Sequence, residues 1–171
     1  QQAERLGTEM IEDMVVEVDL EASPKVVKTA KETYHAETVI IATGASALWL
    51  GIPGEEKFQG KGVSACATCD GFFFKDQYVV VVGGGDSAME EALFLTKFAN
   101  KVTVLVRKGK DDLKASKIMQ KRALEHPKIE FLFHTEAKAL EGETAVERVK
   151  IVNNETSEEG ELEASGFFAA I

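Results

Sequence analysis

The chain has 171 residues, 44% apolar and 29% charged, and its 20 basic and 29 acidic side chains leave a formal charge of −9. That length holds one α/β domain of about 100–150 residues plus a further segment, but not two full nucleotide-binding domains. The apolar fraction, 14 scattered glycines and two cysteines exclude a disordered chain, a collagen-like repeat and a disulfide scaffold. The acidic balance argues against a nucleic-acid partner. No apolar run is long enough to span a bilayer and no charged leader opens the chain, so the expectation is a soluble, cytoplasmic protein with no membrane partner.

In chain order, Gln1–Leu6 reads as the end of a helix already under way, and Gln1 is not an initiator methionine. The chain is therefore expected to be a piece of a longer protein. Gly7–Leu20, Val26–Ala30 and Thr38–Ala42 follow as strand candidates. The last is nearly continuous apolar, which suits a strand buried on both faces of a parallel sheet. A loop containing glycine and proline, Leu50–Gly62, then separates two sections. It sets the domain boundary near Leu48–Leu50, with residues 1–48 in a β-rich segment and 49–171 in a second domain.

The second section opens with the β-branched strand Tyr78–Val82, followed at once by Gly83, Gly84 and Gly85 and by a helix from about Asp86 to Phe98. Ala88, Ala92, Leu95 and Ala99 fall on one stripe of that helix. Val102–Val106 is the next strand, Lys114–Glu125 the next helix and Ile129–Phe133 a third strand. This β-α-β-α-β series predicts a Rossmann-like parallel sheet with crossover helices. Val146–Val152 and Glu161–Glu163 read as antiparallel strands about the turn Asn153–Asn154, a β-meander. The fold class is α/β, with a partial β-rich segment in front.

Gly83, Gly84, Gly85, Asp86, Ser87 and Ala88 match G-x-G-x-x-A between a strand and a helix. Gly83 suits the tight turn, Gly85 lets backbone approach a pyrophosphate and Ala88 permits close packing of helix on sheet. The helix N-terminus then offers amide protons to phosphates. An NAD site carries an acidic residue at the end of the second strand. Here Val106 is followed by Arg107 and Lys108, two cations that suit a 2′-phosphate, so the expected coenzyme is NADPH.

Cys66 and Cys69 form a single C-x-x-C. His35, His126 and His134 show no paired spacing that would complete a zinc site, so no metal is expected and the pair reads as a redox-active dithiol. Asp70 beside it is open to two readings, proton donor or turn carboxylate. A nicotinamide site and a dithiol together imply two-electron flow, with a flavin as the expected go-between. The sequence contains no second glycine-rich turn to seat one.

Thr43–Ser46, the run Val63–Phe73 around Cys66-Ala67-Thr68-Cys69-Asp70, and Gly83–Ala92 together resemble low-molecular-weight thioredoxin reductase, of the pyridine nucleotide-disulfide oxidoreductase family. Ala115–Met119 and Gly166–Ile171 continue the likeness. The resemblance implies an NADPH domain carrying the dithiol, inserted into an FAD domain of which residues 1–48 are a middle slice. The two domains would rotate between half-reactions. It implies that Cys69 faces the flavin, Cys66 attacks thioredoxin and Asp70 is the general acid, with flavin contacts from Ala42, Thr43 and Gly44. It also implies thioredoxin as protein substrate and a homodimer as the complete enzyme. The family's basic signature, His-Arg-Arg and a further Arg, corresponds here to Val106, Arg107 and Lys108, with Lys114 beyond a longer loop.

The N-terminal flavin fingerprint and the C-terminal Gly-Asp segment of that family are absent from these residues. The chain alone is therefore expected to be colourless and inactive in NADPH-dependent disulfide reduction. Two other readings stay open: the flavoprotein subunit of alkyl hydroperoxide reductase, against which Ala67-Thr68 between the cysteines argues, and a non-catalytic nucleotide-binding module that senses redox state through Cys66 and Cys69.

Overall fold

The computed structural model describes residues 2–44 and 46–171. They fall into two compact units, Gln1–Ala45 and Ser46–Ile171. Among the described residues, no helix is long and apolar enough to cross a membrane.

In the first unit, helix α1 (Gln2–Arg5) precedes strands β1 (Val15–Asp19), β2 (Lys25–Thr29) and β3 (Thr33–Ala36). These form an antiparallel sheet of order β1-β2-β3, with Lys28 and Glu17 paired at 3.0 Å across β2 and β1. Only the Val15–Asp19 part of Gly7–Leu20 is a strand, and β3 is an addition, since its Thr, Tyr, His and Ala give no apolar alternation. The strand expected at Thr38–Ala42 does not form, and Ile40 is 90% exposed. Backbone N–H and C=O groups need ladder partners, and β1, β2 and β3 pair with one another rather than with this run. Apolar composition alone does not make a strand.

The second unit contains β4 (Val63–Ser64), α2 (Ala67–Asp70), a 3-10 turn (Gly71–Phe74), β5 (Tyr78–Val82), α3 (Asp86–Leu95) and β6 (Lys101–Val106). A short 3-10 turn at Lys110–Asp112 leads to α4 (Lys117–Leu124) and β7 (Ile129–Phe133). Then come β8 (Thr135–Glu141), β9 (Arg148–Asn153), β10 (Glu159–Glu163) and β11 (Gly166–Ala169). Five strands make a parallel sheet of order β4-β11-β5-β6-β7, and β8, β9 and β10 make the antiparallel meander.

Side-chain alternation along the strands sorts the core into two layers. Val79, Val81, Val102 and Val104 pack with Ala88, Met89, Ala92 and Leu95 of α3 on one face of the parallel sheet. Val80, Leu105 and Phe167 pack with Ala137, Leu140 and Val149 of the meander on the other. A sheet covered on both faces is why its strands read as unbroken apolar runs.

Three differences from the sequence reading have physical causes. Helix α3 ends at Leu95 rather than Phe98, and the Lys128 ammonium donates to the carbonyls of Thr96 (3.0 Å) and Ala99 (2.8 Å) just beyond that end. Helix α4 starts at Lys117 rather than Lys114, because the amides of Lys114 and Ala115 both donate to Gly84 O, at 2.9 and 3.1 Å. Strand β8 is built from Ala, Lys and Glu, helix-forming residues by propensity, and becomes a strand because Ala137 and Leu140 cover the sheet.

Buried Gln120 holds the segment before α4, its amide donating to Leu113 O (3.0 Å) and Ala115 O (2.7 Å). Alanine there strands two carbonyls. Gln120→Ala is expected to lower stability by about 1–3 kcal/mol, read from urea unfolding midpoints; an unchanged midpoint would contradict this.

Candidate functional site

The glycine turn leaves β5 and enters α3. Gly83 has φ +148°, and a Cβ there would run into the carbonyl of Ala170 and lie 2.8 Å from the Ala88 Cβ. Only glycine fits, and Ala88, fully buried, is the small residue that lets α3 sit against the turn. Gly85 precedes the first residue of α3, and a Cβ added to it would meet nothing within 4 Å. That side of the turn is open.

It opens into a groove of about 710 Å³, within the size range of small-molecule sites. Gly83, Gly84, Gly85 and Ser87 form one end, and Arg107, Lys108 and Lys114 line it from the end of β6 and the loop after it. Asp112 stands among these cations. Trp49 and Leu50, and Thr135, Glu136 and Lys138 of β8, are among the residues that line the rest of it. Trp49 and the β8 residues escape sequence reasoning, since β8 does not read as a strand. Asp86 is outside the lining: its carboxylate accepts the Ser116 N–H at 2.8 Å, tying α3 to the start of α4.

The basic loop is braced from behind. Lys108 O accepts the His134 N–H at 3.0 Å, Arg107 O accepts the Asn154 side-chain amide at 3.2 Å, and Glu155 pairs with His134 Nδ1 at 3.2 Å. His134 itself takes a positive φ of 52° to turn from β7 into β8.

Cys66 and Cys69 are joined in a disulfide with Cα atoms 5.3 Å apart. Cys66 is the residue before α2, and its carbonyl accepts the amides of Cys69 (3.2 Å) and Asp70 (3.1 Å). Ser64 Oγ accepts the Cys66 N–H at 3.0 Å, and Thr68 Oγ1 lies 3.4 Å from the Cys66 sulfur. Cys69 is exposed, whereas Cys66 and Asp70 are half-buried. The exposed rings of Phe72 and Phe73 follow, 6.4 Å apart edge to face. Neither cysteine lines the groove, yet α2 packs on α3, so one helix supports both features. Behind α2, burial pushes the Glu91 carboxyl up from the ordinary carboxylate value, opposed by the Ala67 N–H. Among the described residues, no group of three or more His, Cys, Asp or Glu is placed to hold a metal. Ala42, Thr43 and Gly44 are exposed and outside any strand or helix.

The family model for pyridine nucleotide-disulphide oxidoreductase matches residues 2–171. The chain belongs to that family. As a pyridine nucleotide-disulphide oxidoreductase, it is 50% identical over 171 residues to a thioredoxin reductase of Mycolicibacterium smegmatis, covering 100% of this chain and 54% of that protein. A thioredoxin reductase of Rickettsia conorii is 51% identical over 174 residues, covering 99% and 56%. Among solved structures, Giardia duodenalis thioredoxin reductase superposes with a TM-score of 0.88 at 37% identity, over 99% of this chain and 55% of that one. Lactococcus lactis thioredoxin reductase, in its FR conformation, gives 0.79 at 38% identity, over 98% and 55%. The chain thus spans about half the length of the relatives it matches. These neighbours carry the Rossmann-type fold expected of it.

Gly83→Ala tests the turn. The clash with Ala170 and Ala88 is expected to cost roughly 2–4 kcal/mol of stability, measured by urea unfolding; wild-type stability would contradict the close approach.

Proposed function

We propose that this chain is the nucleotide- and dithiol-bearing part of an NADPH-dependent thioredoxin reductase, with residues 49–171 as the NADPH domain and 1–48 as part of an FAD domain. The observation that carries the reading is that a glycine turn of nucleotide-binding form opens α3 while α2, which follows Cys66 and contains Cys69, packs on that same helix. The groove fits the coenzyme: the open face of Gly85 admits a pyrophosphate, and Arg107, Lys108 and Lys114 supply positive charge for a 2′-phosphate. Gly83, Gly84 and Ser87 shape the turn, while Asp86 and Ala88 serve it by anchoring α3.

The overall exchange balances as NADPH and a proton converting one disulfide into two thiols, with NADP⁺ released. Cys66 and Cys69 are the disulfide in question. Cys66 attacks the oxidised thioredoxin, Cys69 accepts electrons and Asp70, next to Cys69, holds the proton for the leaving thiolate. FAD is the electron carrier of the complete enzyme. Ala42, Thr43 and Gly44, exposed in coil, do not make a flavin seat by themselves. An exchangeable dithiol of this kind works in a reducing compartment, the cytoplasm, and the complete enzyme acts as a homodimer.

Isothermal titration of the chain with NADPH and NADH tests the coenzyme reading. NADPH is expected to bind at least about tenfold tighter, the worth of charge-assisted contacts to one phosphate. Arg107→Ala with Lys108→Ala is expected to remove that preference while NADH binding persists. Equal affinities in the parent chain would refute it.

A further inference from the structure

Glu91 is a titratable group that this chemistry leaves unused, and it lies against the dithiol helix. It sits in the middle of α3, the helix on which α2 packs. Its Oε2 is buried without a hydrogen-bond partner among the described residues. The polar group facing the carboxyl is the backbone N–H of Ala67, the residue bonded to Cys66. A carboxyl group with one unsatisfied buried oxygen is thus placed against the start of α2, the helix that follows Cys66 and contains Cys69, which a purely structural contact does not require.

We propose that Glu91 is a positioning residue for the dithiol, coupled to it through protons, so that ionisation of Glu91 and formation of the Cys66 thiolate each disfavour the other. The inference rests on the dithiol reading given above. Its chemistry is that of like charges in half-buried surroundings, where repulsion exceeds its value in water, and the structural link is that the carboxyl meets the amide directly after Cys66. With the disulfide closed there is no thiol to ionise, and burial alone raises the carboxyl against the pull of the Ala67 amide. Reduction by a dithiol such as dithiothreitol breaks the S–S bond and transfers two electrons and two protons, the reductant closing to its cyclic disulfide. The proton that then leaves Cys66 departs one residue from the amide that faces Glu91, and under the proposal the two groups titrate as a pair.

Other ionisable groups on the elements packed against α3 do not account for the effect. They are Asp70 of α2, Tyr78 of β5, Lys101 of β6, and the exposed Lys117, Lys121 and Arg122 of α4, with Asp86 and Glu90 on α3 itself; the 3-10 turn Gly71–Phe74 has none. Burial and the Ala67 amide are the causes that shift Glu91.

Glu91→Gln keeps the shape and an acceptor for Ala67 but removes the charge. A carboxyl raised by folding contributes stability that is complete below its unfolded value and is lost as pH rises through its folded value. Glutamine escapes that loss, so the variant is expected to fold at neutral pH. Parent and variant chains, reduced with dithiothreitol and freed of it, are alkylated with iodoacetamide across a pH series, and Cys66 and Cys69 are read separately by mass spectrometry. In the variant the Cys66 midpoint is expected to move to lower pH, with alkylation at about pH 7 faster by roughly threefold or more, and Cys69 less affected. In the parent, the Glu91 side-chain carbon signal is expected to show an inflection at the Cys66 midpoint when reduced and none when oxidised. Identical Cys66 profiles in both chains overturn the inference, as does a Glu91 signal blind to the thiol, which decides the matter if the variant does not fold. A disulfide that dithiothreitol leaves intact overturns the dithiol reading and this inference with it, whereas normal reduction without coupling overturns the inference alone.

Discussion

The close seating of α3 on the parallel sheet is the constraint from which both sites follow. Helices pack tightly on strands when the facing residues are small, and here Ala88 and Ala92 are fully buried between Gly83 on one side and the valines of β5 and β6 on the other. That seating fixes the start of α3 against the glycine turn, whose Gly83, Gly84 and Gly85 line the groove. Gly71 does the same for the dithiol: a Cβ there would stand 3.2 Å from Leu95, so the chain leaving α2 lies directly on the end of α3. Strand β11, the last in the chain, completes the support by inserting between β4 and β5 and bringing Ala170 over Gly83. Both pieces of chemistry are therefore hung on one rigid element.

Charge is distributed unevenly over this frame. The protein carries −9 overall, yet the groove's lining gathers Arg107, Lys108, Lys114 and Lys138 against Asp112 and Glu136, the last paired with Lys138 at 3.2 Å. Local potential, not net charge, decides what a cleft attracts. The backbone of the basic loop is gripped by His134 and Asn154, so its two leading cations project from a fixed base. Positioned charge of this sort is worth more to an anionic ligand than the same charge on a free loop, because less motion is lost on binding.

Much of this was legible in the sequence, for reasons that differ by element. Strands β5, β6 and β7 announce themselves because burial on both faces demands continuous apolar residues, and the Gly83–Ala88 spacing is set by a steric need that only small residues meet. The same logic misleads at Thr38–Ala42, where an apolar run lacks strand partners. It is silent at β8, where Thr135, Ala137 and Leu140 are strand residues by position alone. Site residues followed suit. Arg107 and Lys108 were visible as cations after a strand, but Trp49 and Lys138 come to the groove through tertiary packing, and the attachment of Asp86 to Ser116 spans 30 residues of sequence. Glu91 reads as one more acidic residue on a helix until its burial against Ala67 is seen.

The proposed nucleotide groove and dithiol lie in one α/β unit as separate sites, one at the start of α3 and the other at α2 packed against it. Titrating NADPH into the 15N-labelled chain and following each backbone amide by NMR tests this arrangement most directly. The largest shifts are expected at residues 83–88, 106–108 and 114, with residues 66–70 little moved. Shifts centred on residues 66–70, or none at 83–88, would contradict it.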